Sequence, residues 1–268
     1  MAEPRPFSVT RLPGFTAIAI TAFVALYLPI ITIVVFSFNA LSSMSQWGGF
    51  SLHWYREAWA NDTVQEATIR SLLIATVAAL VSTVVATLAA LGTTRQGRFR
   101  GRTAIYALIN QPLMVPEIVT AVSLLIVFGA IRQATGYQGL GYLMLAHSAF
   151  CVPFAYLPIR ARLEGMDRTL ELAAADLYAT PLQAFRRITL PLLMPGIAAG
   201  AMLAFVISLD DVVITEFVKS AGQDTLATYM LGQFRRTLTP EVNAISTALL
   251  ALTLVLLTGF FLITRKRA

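Results

Sequence analysis

Three carboxylates in this chain sit in or against apolar sequence, where a charge is costly to place. Glu117 lies inside the run PLMVPEIVTAVSLL, residues 112–125, and Asp210-Asp211 follows directly on the apolar stretch that ends at Leu209. A charged carboxyl at the centre of a membrane helix costs about 2.5 to 3.5 kcal/mol on insertion scales, so such a group faces protein or water rather than lipid. Carboxylates placed along a wet path can replace the hydration water of a passing cation. Two plainer roles stay open beside that one: Glu117 can bond backbone freed by Pro116, and Asp210 and Asp211 can cap a helix or meet Arg235 and Arg236. Catalysis has no comparable basis. There are two histidines and one cysteine, and neither H-E-x-x-H nor G-x-S-x-G occurs. His147 reads as a hydrogen-bonded interior residue, His53 as a loop residue and Cys151 as a small buried side chain. We therefore assign no catalytic residue and no metal site.

The elements that hold these acids follow from composition. Of 268 residues, 57% are hydrophobic and 13% charged, which leaves too little polar surface for a water-soluble globule. The net charge of +6 is not arranged as a nucleic-acid surface, because the basic residues neither form one long run nor alternate with aromatics. Hydropathy and Pro/Gly punctuation predict an all-α membrane protein, a single domain over 1–268 with six spans near 13–37, 68–92, 104–131, 138–160, 191–213 and 243–264. The apolar N-terminal stretch behind Arg5 and Arg11 is too long for a signal-peptide core and reads as an uncleaved first span.

Basic residues near helix ends are retained in the cytoplasm. With both termini inside, the inner set is Arg5, Arg11, Arg95, Arg98, Arg100, Arg102, Arg160, Arg162, Arg168, Arg186, Arg187, Arg265, Lys266 and Arg267, fourteen of the twenty. The outer set is Arg56, Arg70, Arg132, Lys219, Arg235 and Arg236. Residues 39–66 then form the first external loop. Its Trp47, Trp54, Tyr55 and Trp59 suit either a helix at the membrane interface or packing onto the protein's own outer face. Gly196 and Gly200 form a G-x-x-x-G pair in the fifth span, read as a close helix contact.

Between the fourth and fifth spans lies AADLYATPLQAFRRITLPLLMP, residues 174–195. Leu170, Ala173, Ala174 and Leu177 fall at helical spacing. Thr180-Pro181-Leu182-Gln183 carries a cap, a proline at the first helical position and a glutamine placed to reach back, so a second short helix starts there. Leu190-Pro191 ends it and restarts the chain as the fifth span. Helices this short are marginal alone, so the pair must dock on something, either loops of this chain or another subunit.

Leu172-Ala173-Ala174, Asp176-Leu177, Ile188-Thr189-Leu190-Pro191 and Pro195 resemble the EAA loop of bacterial ABC importer permeases. In that family the loop forms coupling helices that fit a groove on the ATP-binding subunit. The resemblance places the docking loop at about 164–190, with Glu171, Leu172, Ala173, Ala174, Asp176, Leu177, Tyr178, Ile188, Leu190 and Pro191 as its residues. Two positions depart from the pattern: Leu172 stands where Glu is expected, with Glu171 one place early, and Tyr178 replaces a Gly, although a positive φ is costly for Tyr. FSLHWYREAW, PLMVPEIVTAVSLL, SLDDVVITEFV and PEVNAIST are similar to the spermidine/putrescine permease subfamily.

The resemblance implies the type I ABC importer permease fold in the bacterial inner membrane. It further implies a second, non-identical permease subunit, two ATP-binding subunits and an external substrate-binding protein. Glu117, Asp210 and Asp211 become candidates for the substrate path. The chain has no G-x-x-x-x-G-K-[ST] loop, so no cofactor is expected in it; ATP and Mg belong on partner subunits. A lone secondary transporter would show inverted repeats, which are not found, and an intramembrane enzyme would need the absent catalytic groups. The same importer class with another small solute is the nearer alternative.

Overall fold

The computed structural model describes residues 14–43, 45–95, 97, 99–236 and 239–265. Arg5, Arg11, Arg98, Lys266 and Arg267 of the inner basic set lie outside them. Among the described residues, six helices are long and apolar enough to cross a membrane: Phe15–Phe36, Asp62–Thr94, Glu117–Thr135, Gly141–Glu164, Pro181–Asp210 and Pro240–Gly259.

The helices are α1 Phe15–Phe36, α2 His53–Ala60, α3 Asp62–Thr94, α4 Arg102–Met114, α5 Glu117–Thr135, α6 Gly141–Glu164, α7 Thr169–Asp176, α8 Pro181–Ala184, α9 Leu190–Asp210, α10 Val213–Val218, α11 Leu226–Arg236 and α12 Pro240–Arg265. A π-helical turn, Phe185–Thr189, joins α8 to α9. The chain divides into two compact units, residues 1–60 with 233–251, and residues 61–232 with 252–268.

In the first unit, α1 runs through Pro29 with no buried side chain. After it an amide and aromatic knot fixes the loop between α1 and α2. Asn39 is fully buried; its Nδ2 donates to Ser43 O at 2.9 Å and Gln46 O at 2.7 Å, and its Oδ1 accepts from Gly48 N at 2.7 Å. Trp54 Nε1 donates to Asn39 O at 2.8 Å, and Tyr55 OH pairs with Ser37 Oγ at 2.7 Å. Trp54 and Tyr55 thus turn inward onto their own chain, while Trp59 stays exposed. His53, expected in a loop, instead begins α2 and faces Glu57 at 3.2 Å.

The second unit is built on three helices. α3, α6 and α9 pack pairwise, and the residues at their seams are small. The buried face of α3 includes Ala67, Ser71, Ala75, Ala78, Ser82, Ala86, Ala90 and Thr93, a stripe at i, i+3 and i+4 spacing. Facing it, α6 buries Ala146, Cys151, Ala155, Tyr156 and Ile159, and α9 buries Gly196, Gly200 and Ala204. Small side chains let helix backbones approach closely where no water is present to drive association. A Cβ on Gly200 would lie 2.7 Å from Ala155 O, and one on Gly196 2.6 Å from the Arg162 Cβ. The glycine pair therefore has the packing role expected of it.

Two expected spans are corrected. The third does not run unbroken over 104–131: Val115 is extended and Pro116 starts a new helix, so α4 stops at Met114 and α5 begins at Glu117. A residue before proline is pushed out of the helical region, and here the chain yields to that preference. Pro112, Pro153, Pro158 and Pro195, by contrast, all lie inside continuous helices.

The fifth span does not restart at Leu190-Pro191. It begins at Pro181, and the helix passes through the π turn, where Leu190 N donates to Phe185 O. A widened turn ahead of Pro191 suits a ring that lacks an N–H and crowds the carbonyl four residues back.

Packing at Gly200 gives the first prediction. Gly200→Leu should destabilise the α6–α9 seam by about 1 to 3 kcal/mol and lower the thermal unfolding midpoint of the protein in detergent. Gly129→Ala, in α5, meets nothing within 4 Å and should leave the midpoint unchanged or slightly raised.

Candidate functional site

The structure separates the three acids that sequence treats alike. α9 ends at Asp210, and Asp211 turns extended to begin α10. Asp211 is 7% exposed. Its Oδ1 accepts from Ile214 N at 3.3 Å, and its Oδ2 from Thr215 N at 2.9 Å and Thr215 Oγ1 at 2.8 Å. The carboxylate thus caps the first turn of α10. Asp210, next to it, is exposed.

The cap extends into α6. His147 is 1% exposed; its Nε2 lies 3.0 Å from Thr215 Oγ1 and 3.5 Å from Asp211 Oδ2, and its Nδ1 2.8 Å from Ser208 Oγ. Because Thr215 Oγ1 gives its proton to Asp211, it can only accept from His147, which places a proton on Nε2. In the neutral ring Nδ1 then accepts from Ser208. The expectation of a hydrogen-bonded interior histidine holds.

Glu117 stands at the break in the third span, just after Pro116. It occupies the first turn of α5, which packs on α10. Asp211 is nearly used up by its own cap, so Glu117 and Asp210 hold the free acceptor capacity. At 1.5 Å per residue, Asp210 stands about 30 Å from Leu190 along α9. The chain does not leave the bundle there, because α10 continues against α5 and α6. Beyond α10, Lys219 bridges Glu216 and Asp224, 2.6 Å from each. Burial alone would lower its pKa, but these two partners outweigh burial and hold the ammonium above its ordinary range.

The second candidate site is the loop at the other end of the unit. α7 starts where Asp167 Oδ1 accepts Thr169 N at 2.9 Å, a bond that holds this exposed carboxyl below its usual range. α8 starts with the full capping box of Thr180 and Gln183, as its residues predict.

α7 ends in a Schellman motif: Ala179 N donates to Ala174 O at 3.0 Å and Tyr178 N to Ala175 O at 2.9 Å. The residue at the left-handed position is Tyr178, φ 60°, the one non-glycine residue with positive φ among those described. Glycine is usual there, and a side chain costs roughly 1 to 2 kcal/mol.

Of the sequence-assigned loop residues, Ala174 is buried, while Ala173 and Asp176 are exposed and Ile188 and Leu190 partly buried. Glu171 faces inward. Its Oε1 accepts from Thr189 Oγ1 at 2.9 Å and pairs with Arg95 Nε at 3.2 Å, while an Arg168 guanidinium nitrogen donates to Arg95 O at 3.2 Å. One carboxylate thereby ties α7 to the π turn and to the end of α3. Outward, Leu172, Leu177, Tyr178 and Leu182 are 64 to 96% exposed, and Pro191 is exposed as well. Sequence reasoning missed Thr189 and Arg95 as partners of Glu171, because both lie outside α7 and only the folded loop brings them to it.

Residues 82–266 match the family described as "Binding-protein-dependent transport system inner membrane component". The chain is 40% identical to the putrescine transport system permease protein PotI of Escherichia coli K12 over 245 residues, covering 90% of this chain and 87% of that one. It is also 40% identical to the spermidine/putrescine transport system permease protein PotC of Haemophilus influenzae, covering 90% and 92%.

Among solved structures, a bacterial ABC transporter involved in import of the acidic polysaccharide alginate superposes with TM-score 0.69 at 16% identity over 92% of both chains. The MetNI methionine ABC transporter gives 0.66 at 18% identity, over 80% of this chain and 98% of that one. The fold is that of type I ABC importer permeases.

Two outcomes are expected from the site geometry. Asp211→Asn and Thr215→Val should each lower thermal stability, by about 1 to 2 kcal/mol for the lost cap, while Asp210→Asn should not. Tyr178→Gly should slow amide exchange over residues 174–179 by about fivefold as roughly 1 kcal/mol of strain is relieved, whereas Tyr178→Ala should leave it near the wild-type rate.

Proposed function

The chain belongs to the binding-protein-dependent transport system inner membrane components, and we propose that within this family it forms half of the translocation path for polyamines such as putrescine and spermidine. One observation carries the substrate class: an exposed Asp210 stands beside a buried, already satisfied Asp211 at the start of α10, and α10 packs on α5, whose first residue is the partly exposed Glu117. A flexible dication or trication gives up hydration water at lower cost where a few wet carboxylates replace it, and a small number of partial sites avoids a deep trap. The names of the PotI and PotC relatives point to the same cations.

On this reading the chain is a transport subunit and not an enzyme. ATP and Mg bind two separate ATP-binding subunits, and a second, non-identical permease completes the path. An external binding protein delivers the substrate. Both termini lie in the cytoplasm, where the weight of Arg and Lys puts them.

The outward set Leu172, Leu177, Tyr178 and Leu182 is the surface that enters the groove of an ATP-binding subunit. Glu171 stays behind it and holds the loop in shape through Thr189 and Arg95. Import of another small cation by the same machinery is the second reading, since the carboxyls recognise charge and not chain length.

The test is uptake of radiolabelled putrescine and spermidine into cells lacking their own polyamine import, with all subunits supplied. Glu117→Gln and Asp210→Asn should each reduce ATP-dependent uptake by about tenfold, the value of about 1.4 kcal/mol, at unchanged membrane levels. Tyr178→Ala and Leu177→Ala should leave the protein inserted but lower substrate-stimulated ATP hydrolysis. Uptake of neither polyamine by the intact complex would overturn the substrate class, and wild-type coupling in the loop variants would overturn the docking surface.

A further inference from the structure

We propose that the corner formed by Tyr106 and Tyr156 is a second cation station, at the loop end of the bundle, which binds alkylammonium groups and is occupied in this conformation by the guanidinium of Arg160. The two rings lie 6.4 Å apart with their planes at 61°, so their faces form an open angle rather than a stack. The guanidinium carbon of Arg160 sits in that angle, 4.9 Å from the Tyr106 centroid and 5.9 Å from the Tyr156 centroid. Both distances fall within the range at which a ring face attracts a cation.

The corner is built rather than incidental. Tyr156 is fully buried and its hydroxyl is fixed by Thr93 Oγ1 at 2.9 Å, which leaves its ring no freedom to turn away. Tyr106, one turn into α4, is 42% exposed, so the angle opens outward on that side. Arg160 is the movable member: its side chain is 27% exposed and its Nε donates to the half-exposed Glu164 at 2.8 Å. A tethered cation resting on two aromatic faces can be displaced by a free one of similar charge. Glu164, in the next turn of α6, is then the carboxylate that keeps the displaced guanidinium.

The purpose of the station, a last hold on the substrate before release, rests on the cationic-substrate reading above; its chemistry does not. A path with carboxylates at one depth and aromatic faces at another passes an ammonium between two weak sites of different kinds, and neither becomes a trap.

The experiment titrates tetramethylammonium, which is held by ring faces and not by hydrogen bonds, onto the purified full complex in lipid nanodiscs. Arg160→Gln should bind it at least fivefold tighter than the wild type, because the tethered competitor is gone. Adding Tyr106→Phe should keep that gain, and adding Tyr106→Leu should abolish it. Equal binding by the Phe and Leu variants, or no gain in Arg160→Gln, would overturn the proposal. The Phe and Leu variants share a folding control, since both fill the same apolar position. Failure of polyamine uptake by the wild-type complex would strike only the substrate reading, since the ammonium titration decides the corner by itself.

Discussion

Close approach of α6 to α3 and α9 is the constraint on which the rest of the second unit hangs. In lipid no hydrophobic force presses helices together, and what remains is dispersion contact between backbones that come near enough. The chain meets this with alanine, serine and glycine at the seams, so tightly that Gly200 has room for nothing more than a hydrogen. Once these three helices are fixed, the positions of His147, Tyr156, Ser208 and Asp211 follow. Each projects from a backbone that cannot move away from its neighbour. Large apolar side chains are left to face outward, and α3 presents Leu73, Leu80, Val84 and Leu88 on its exposed side.

The same dryness explains the pattern of polar contacts. A buried donor or acceptor without a partner costs about 1 to 3 kcal/mol. The Ser208, His147, Thr215 and Asp211 chain accordingly closes on itself, with the backbone of α10 as its last member. Polarity that is fully satisfied is structure. Asp210, exposed at the end of α9, stands outside that closed chain. In the loop, Glu171 is engaged by Thr189 and Arg95, while the large apolar side chains of Leu172, Leu177, Tyr178 and Leu182 point outward.

Much of this was legible in the sequence. Six apolar runs gave six spans, the Thr180 to Gln183 spacing gave the capping box, and the glycine pair gave a helix contact, because each depends on residues near one another in the chain. Depth within the fifth span was harder to read. Nothing local to Leu190-Pro191 announces that the five residues before it widen into a π turn instead of ending a helix. Nor does local sequence distinguish Pro116, which breaks its span, from Pro153, which is buried inside an unbroken one. Tyr178 shows the limit most sharply. The sequence identifies a residue ill suited to positive φ, and the structure adopts that φ regardless, since the Schellman hydrogen bonds and the exposed ring outweigh the penalty. Partnerships such as Glu171 with Arg95 join residues far apart in the chain and become visible only when it is folded.

The helical run from Pro181 through Asp210 has a mechanical consequence. Its thirty residues form a rod about 45 Å long, with the loop at one end and the acidic cluster at the other. A tilt of about 10° at the loop would carry Asp210 sideways by about 8 Å, and α6 would have to move with it, because His147 bonds Ser208 and Cys151 bonds the Ala204 carbonyl. The π turn lies near the short end of this lever, where a soft joint absorbs twist while sacrificing little reach. The tight seam makes α6 and α9 one stiff body, so the loop end and the acidic end of the rod cannot shift independently.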